Sequence, residues 1–398
     1  MNFRPGTRVV HVCLDPGIPV FGAKGCSVHV QEVLRVMVAA GADVHVVAAR
    51  VGGAAPQGLS AVTVHELGRP QGEPADRERR QVALDATAAD LVADLLTGTD
   101  PGTALVYERH ALFAAAVAER CRRLGVRHVL EVNAPLVEEH ATHRGLVHVT
   151  EAREASRRAL RATSRVVAVS SAVAEFVRSS SGVEALVVPN GVDVQRFRPA
   201  PTDPAPGATP AEFDVAFVGA FRPWHGLDVL LEAATRLRDL PGKPVRLRLI
   251  GDGPGRADVL DRAAAAGIAC TATGALPPAD VPAALSGARA AVAPYPRGAA
   301  YFSPLKVAEY LAAGIPTVAG AVGDLARSYR DGHELLLVEP GDAAALTAAL
   351  QRIRTEPVLA AGLAAAGRRA AVERFSWTGV VRRSLADVPA PDGAEVAA

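Results

Sequence analysis

The chain has 398 residues, more than one ordinary core holds and enough for two. Hydrophobic residues make up 49%, and Lys+Arg 43 stand against Asp+Glu 42 for a net charge of +1. That balance, with aromatics at 4%, argues against a polyanion-binding protein and against a stacking platform for single-stranded nucleic acid.

Residues 8–14 (RVVHVCL) read as a first strand. The apolar run within it is too short for a secretory leader, and no apolar stretch is long enough to span a bilayer, so the expected compartment is the cytoplasm. The four cysteines (Cys13, Cys26, Cys121, Cys270) are scattered without C-x-x-C or metal-ligand spacing, which reads as reduced thiols. A glycine-bearing loop, GAKGCSVH over 22–29, leads into a helix over roughly 27–40 that stops at Gly41. Gly25 there permits close backbone approach to a phosphate, or simply makes a turn; the spacing is not that of a P-loop. Further strands are predicted at 43–49, 104–107, 127–132, 165–169 and 185–188, with helices between them, for example 111–124.

Arg153, Arg157 and Arg161 recur every four residues on one helix face. They read as a solvated face partly neutralised by Glu151 and Glu154, or as a weak contact to anionic lipid or a phosphorylated acceptor. After Pro189-Asn190-Gly191 the composition breaks, and a proline-rich linker is expected over 200–212. Alternation then resumes, with strands at 214–218, 245–250, 268–271, 289–293, 316–319 and 335–338 and helices between and after them. The fold class is therefore α/β: two doubly wound Rossmann-like domains, 1–199 and 213–374, facing across a cleft.

The segment 291–316, AVAPYPRGAAYFSPLKVAEYLAAGIP, is the most informative. Ser303 is a good helix N-cap and Pro304 suits the first turn, so a helix starts here with its free N–H groups and positive dipole end forming an anion site. Lys306 adds a full charge in the same turn, and Glu309 follows where a carboxylate can accept from a pair of sugar hydroxyls. A diphosphate at the tip and a ribose alongside is one reading; a capped helix with a surface Lys–Glu pair is the other. In VAFVGAFRPWHG (215–226), the loop after a strand carries Arg222, Trp224 and His225 at the sheet edge where ligands bind. Arg222 there either forks onto a phosphate or is an exposed turn residue. The turn from Gly251 (GDGPG) lacks the spacing of a dinucleotide fingerprint.

Taken together, FSPLKVAEYLAAGIPTVA, VVAVSSAVAEFV with VVPNGVDVQRF, FVGAFRPWHGLDVLLEA, GDGP and FSW (375–377) resemble the motifs of retaining glycosyltransferases of family 4, over roughly residues 8–383. VYERH (106–110) and EVNAPLVEE (131–139) look like one branch of it. The resemblance implies a GT-B fold, a UDP- or GDP-sugar donor, transfer of a hexose-type sugar with retention, and no metal or other cofactor. It places Glu309 on the donor ribose, and Lys306, Ser303 and Leu305 at the diphosphate. Arg222 and His225 fall in the phosphate loop, Gly25 and Gly251 in donor-side loops, and Leu276 beside the base. Arg222 and Lys306 stabilise the departing diphosphate in that reading. Arg109 or His110 takes the place of the family's usual histidine, and Glu108, Asn133 and Glu138 are acceptor-side candidates. His110 packing in the interior, and loop capping by Asn133 and Glu138, are the rival readings.

Three positions depart from the family pattern: Tyr301 where its first paired glutamate stands, His225 for the usual lysine, and Lys24 for the first loop glycine. They imply a different donor-sugar contact and more reliance on Arg222 and Lys306. The final helix after Phe375 is expected to return to the first domain. The acceptor (glycan, polyol or small metabolite) and the oligomeric state are not specified by these motifs. A nucleotide-sugar epimerase of the same architecture, or a non-catalytic nucleotide-sugar binder, remains as the alternative.

Overall fold

The computed structural model describes residues 3–200, 212–298 and 305–391. The chain forms two compact units: Met1–Pro189 with Trp377–Ala398, and Asn190–Ser376.

The first unit runs β1 (Arg8–Cys13), α1 (Gly25–Ala39), β2 (Asp43–Ala48), β3 (Thr63–Glu66), α2 (Pro74–Leu96), β4 (Ala104–Arg109), α3 (Ala116–Arg123), β5 (Arg127–Val132), α4 (Leu136–His143), α5 (Val149–Ala162), β6 (Arg165–Ala168), α6 (Ser171–Ser181) and β7 (Ala185–Val187). The strands make one sheet in the order β3-β2-β1-β4-β5-β6-β7, every pair parallel. Parallel neighbours need a crossover, and helices supply it on both faces, which is why β1 and β4 are almost wholly buried. The order reverses between β1 and β4, the topological switch point. The helix expected from 111 begins only at Ala116. Residues 111–115 form a turn instead, with Phe113 at φ 63°, and the Asp85 carboxylate on α2 accepts from Ala115 N and Ala116 N at 2.7 Å each.

The second unit runs β8 (Phe213–Val218), α7 (Leu227–Arg238), β9 (Val245–Ile250), α8 (Arg256–Ala265), β10 (Ala269–Ala272), α9 (Val281–Leu285), β11 (Ala290–Ala293), α10 (Leu305–Ala312), β12 (Thr317–Gly320), α11 (Leu325–Ser328), β13 (Leu336–Val338), α12 (Ala343–Thr355) and α13 (Pro357–Arg374). Its parallel sheet has the order β10-β9-β8-β11-β12-β13, with the switch between β8 and β11.

The division falls at Pro189/Asn190, ten residues before the expected end of the first domain. The reason is a long-range clamp. Arg368 on α13 donates to the carbonyls of Phe197 at 2.7 Å and Val194 at 2.9 Å, and Val192 N donates to Phe375 O at 2.8 Å. The segment after Pro189 is thereby held on the second unit. The expected linker, 200–212, lies almost entirely outside the described residues. α14 (Trp377–Leu385) belongs to the first unit, with the Trp377 ring edge-on to His29 of α1 at 4.8 Å.

Candidate functional site

In the second unit, the loop after β8 and the helix after β11 meet at the switch point. α10 turns Val307, Ala308, Tyr310, Leu311 and Ala312 into the core and leaves Leu305, Lys306 and Glu309 on its less buried side. The Tyr310 hydroxyl accepts from Val218 N at 2.7 Å, pinning α10 to the end of β8. Lys306 is half-buried as a residue, but its Nζ is enclosed and has no hydrogen bond among the described residues. That ammonium lies 4.4 Å from the Phe217 ring centre and 5.6 Å from that of Tyr295. Burial pulls its pKa down from the usual lysine value to about 7, and Glu309 only partly opposes this.

The loop itself is fixed by glycines. Gly226 sits at φ +68°, and a Cβ there would come 1.7 Å from the Pro294 carbonyl oxygen. A Cβ on Gly219 would come 2.8 Å from Lys306 Nζ and 3.2 Å from the His225 ring, so this glycine lets loop and lysine approach closely. Gly251, Leu276 and Leu305 lie in the same unit. Gly251 is backed against the carbonyl of Gly219, Leu276 packs on the core, and Leu305 opens α10. Arg222 is exposed, its guanidinium 5.7 Å from the ring of Trp224, which is itself 54% exposed. His225 donates from Nδ1 to the Ala220 carbonyl, and burial followed by the Lys306 charge lowers its pKa to about 4. It is therefore neutral at pH 7 and supplies no charge to an anion. Ser303 and Tyr301 lie outside the described residues.

In the first unit, Arg109 and Glu131 sit opposite one another in the β4–β5 register. Glu131 is buried and gathers four donors: His29 Nε2 at 3.0 Å, Tyr107 OH at 2.5 Å, Arg109 at 3.2 Å and Asn133 Nδ2 at 2.6 Å. Burial works against its charge, but His29, Arg109 and Tyr107 more than offset that and hold the carboxyl well below the usual range. Among the predicted residues, Arg109 and Asn133 thus belong to one network. Its centre, Glu131, was not singled out from the sequence, although a carboxylate inside an apolar strand is itself a signal, because a buried charge has to be paired.

Two predicted residues are placed otherwise. Glu108 is not presented to an acceptor: it is 1% exposed and takes a 2.9 Å bond from His128 Nε2. Strand alternation sends it to the sheet face opposite Arg109. His110 packs inside the unit, its Nε2 3.2 Å from Ser156 Oγ on α5, with burial lowering its pKa to about 4. Glu138 on α4 takes a hydrogen bond from Arg153 at 3.2 Å. The arginine stripe is largely occupied: Arg157 pairs with Glu154, and Arg161 donates to the Ser181 carbonyl. Gly25 is the first residue of α1, which has no side-chain cap and no acidic residue in its first turn. No helix among the described residues is long and apolar enough to cross a membrane, and no group of three or more metal-ligating side chains occurs among them.

Comparison with known proteins bears on both units. Residues 23–196 match the description "Glycosyltransferase Family 4", and residues 212–356 match "Glycosyl transferases group 1". The D-inositol 3-phosphate glycosyltransferase of Rhodococcus erythropolis is 36% identical over 202 residues, covering 48% of this chain and 45% of that protein. The match thus spans about half the length of that relative. Among solved structures, sucrose-phosphate synthase from Thermosynechococcus elongatus is similar, with a TM-score of 0.70 at 20% identity, over 94% of this chain and 97% of that one. Anabaena HepE in complex with UDP is similar too, with a TM-score of 0.68 at 19% identity, over 94% and 98%. These likenesses give the two Rossmann-like units the GT-B fold, and the two family matches together take in most of the chain, which belongs to glycosyltransferase family 4.

Proposed function

We propose that the protein transfers a hexose-type sugar from a nucleoside diphosphate to an acceptor hydroxyl, with retention and without a metal. The observation that carries this is the Lys306 ammonium, enclosed at the switch point with no counter-charge bonded to it among the described residues, three residues before Glu309 on the same side of α10. An uncompensated buried cation is costly, and a diphosphate supplies the missing anion. Glu309 then accepts from the ribose hydroxyls, and Arg222 reaches the phosphates from the exposed loop. Because His225 is neutral, the charge that stabilises the leaving diphosphate rests on Lys306 and Arg222. Leu305 and Ser303 act through backbone, and Gly251 and Leu276 border the nucleotide. The UDP held by the similarly folded Anabaena protein supports a nucleotide donor, with UDP and GDP the two bases to compare.

The acceptor belongs to the first unit in this reading. Arg109 and Asn133, organised by Glu131, are the side chains best placed to touch it, while Glu108 acts on neither ligand. A glycan, polyol or small metabolite fits, and the name of the Rhodococcus relative favours a polyol. The test is release of nucleotide from UDP- and GDP-hexoses with and without candidate acceptors. Acceptor-dependent release with an α-linked product from an α-linked donor, lost in Lys306→Met, supports the proposal. Turnover of the nucleotide sugar with no acceptor present points to an epimerase instead, and no turnover with any pair contradicts both.

A further inference from the structure

The first unit contains a cavity of about 440 Å³ that the donor reading leaves unused. Its walls come from the carboxyl ends of the strands around the β1/β4 switch. Asp15 and Lys24 follow β1, Arg50 follows β2, Arg69 follows β3, Arg77 comes from α2, and Arg144 directly follows α4. Open parallel sheets bind ligands at this edge. The volume is that of a small-ligand site.

Its charge is unlike that of the rest of the chain. A protein of net charge +1 places five permanent cations here against two carboxylates. Both carboxylates are committed. Glu78 accepts from Val147 N at 2.9 Å and from His148 N at 2.8 Å, and Asp15 accepts from Gly17 N at 2.8 Å. Two of the cations have modest ties: Lys24 donates to the Gly17 carbonyl at 3.2 Å, and Arg144 to Glu139 at 3.3 Å. Arg50, Arg69 and Arg77 make no side-chain hydrogen bond or ion pair among the described residues. Three unpaired guanidinium groups converging on one concave site match a dianion, because each offers a planar fork of donors.

We infer that this cavity takes the phosphate of a phosphorylated acceptor of sugar or polyol size. The inference rests on the glycosyl-transfer reading above. The phosphate is a handle and is not consumed. The bond formed joins an acceptor hydroxyl oxygen to the anomeric carbon, the bond broken joins that carbon to the donor diphosphate, and the hydroxyl proton leaves with the diphosphate. The phosphate belongs either to a free monoester or to a lipid headgroup.

Equilibrium binding separates these cases. The full chain is titrated with the phosphate monoesters of glycerol, glucose and myo-inositol, each beside its parent alcohol. It is also titrated with vesicles of phosphatidylcholine, with and without phosphatidylinositol. Arg50→Ala, Arg69→Ala and Arg77→Ala are run alongside; Arg69 and Arg77 are exposed, so their loss leaves the fold intact. The expected result is at least one monoester bound about tenfold or more tighter than its parent alcohol, with each arginine variant losing about fivefold or more. If instead only the phosphatidylinositol vesicles bind, with the same arginine dependence, the phosphate is that of a lipid. Equal binding of esters and alcohols with no vesicle preference, or a preference the arginine variants leave unchanged, overturns the inference. UDP and GDP binding, measured on the same variants, stays unchanged in the expected case. Its absence in the wild-type chain counts against the donor reading and not against this cavity.

Discussion

Lys306 Nζ lies 4.4 Å from the centre of the Phe217 ring, enclosed and without a hydrogen bond among the described residues, while its helix neighbour Glu309 raises its pKa too little to restore an ordinary lysine. The ring face supplies part of the missing solvation through its quadrupole. In the proposed reading the remainder comes from the bound diphosphate.

The proposed nucleoside diphosphate binding is therefore expected to be linked to protons. The free ammonium, at about 7, loses its proton above neutrality, and a bound diphosphate favours the charged form and raises that value. Between pH 7 and 9 the affinity falls, approaching about tenfold per pH unit, and at pH 8 binding takes up a proton. Calorimetric titration in two buffers of different ionisation enthalpy reads that uptake directly. Lys306→Met abolishes it along with most of the affinity. His225, near 4, contributes nothing in this window.

The same lysine costs the empty protein stability. Its folded pKa is depressed, so the unfolded chain binds more protons between about 7 and the usual lysine value, and the folded state gains stability as pH rises through that range. At pH 6 Lys306→Met is expected to melt a few degrees higher than the natural chain, with the advantage shrinking towards pH 10. Differential scanning calorimetry across pH checks both the sign and the trend.

Gly226 is the least replaceable residue of the donor loop. An alanine there takes on the +68° φ and meets the Pro294 carbonyl. The expected loss is about 3 kcal/mol or more, since backbone must move on both sides. Urea unfolding of the variant and the parent chain, followed by far-ultraviolet circular dichroism, measures it.

In the first unit, Glu131→Gln removes the charge that His29 and Arg109 face. Breaking a buried pair from one side costs about 3–5 kcal/mol. Because Glu131 has a depressed pKa, its contribution is present above the ordinary glutamate range and is lost as pH falls through the lower folded value. The variant should therefore show a flatter acid limb below about pH 4.5, the ordinary value. Acid titration of the far-ultraviolet signal compares the two.

The fold was legible because both sheets are parallel and covered on both faces, so β1, β4 and β8 are largely apolar runs that need no alternation to be seen, while β9 (VRLRLI) shows itself by alternating with arginines. β3 (TVHE) was missed: it is an edge strand of four residues with no buried position. On the proposed donor side, Lys306, Glu309, Arg222 and His225 lie within one contiguous helix and one loop, which local sequence can display. The proposed acceptor side is assembled from separate strands and connections. Glu131 meets His29 across 102 positions, and Arg50, Arg69 and Arg77 converge from two crossovers, Arg50 from the β2–β3 connection and Arg69 and Arg77 from the β3–β4 connection. Such convergence has no period to read. Treating Glu108, Arg109 and His110 as one group overlooked that neighbours on a strand face opposite sides. The shift of the division from 199 to 189 depends on Arg368, which no local pattern connects to Phe197.

The central claim is that the second unit holds a nucleoside diphosphate between Lys306 and Glu309. The most direct measurement is thermal-shift binding of UDP, GDP, ADP, TDP and CDP to the purified chain, with Glu309→Ala in parallel. The account predicts clear stabilisation by one diphosphate, weakened about tenfold or more in the variant, the worth of a charge-assisted pair of hydrogen bonds. No shift with any nucleotide, or a shift that Glu309→Ala leaves unchanged, contradicts it.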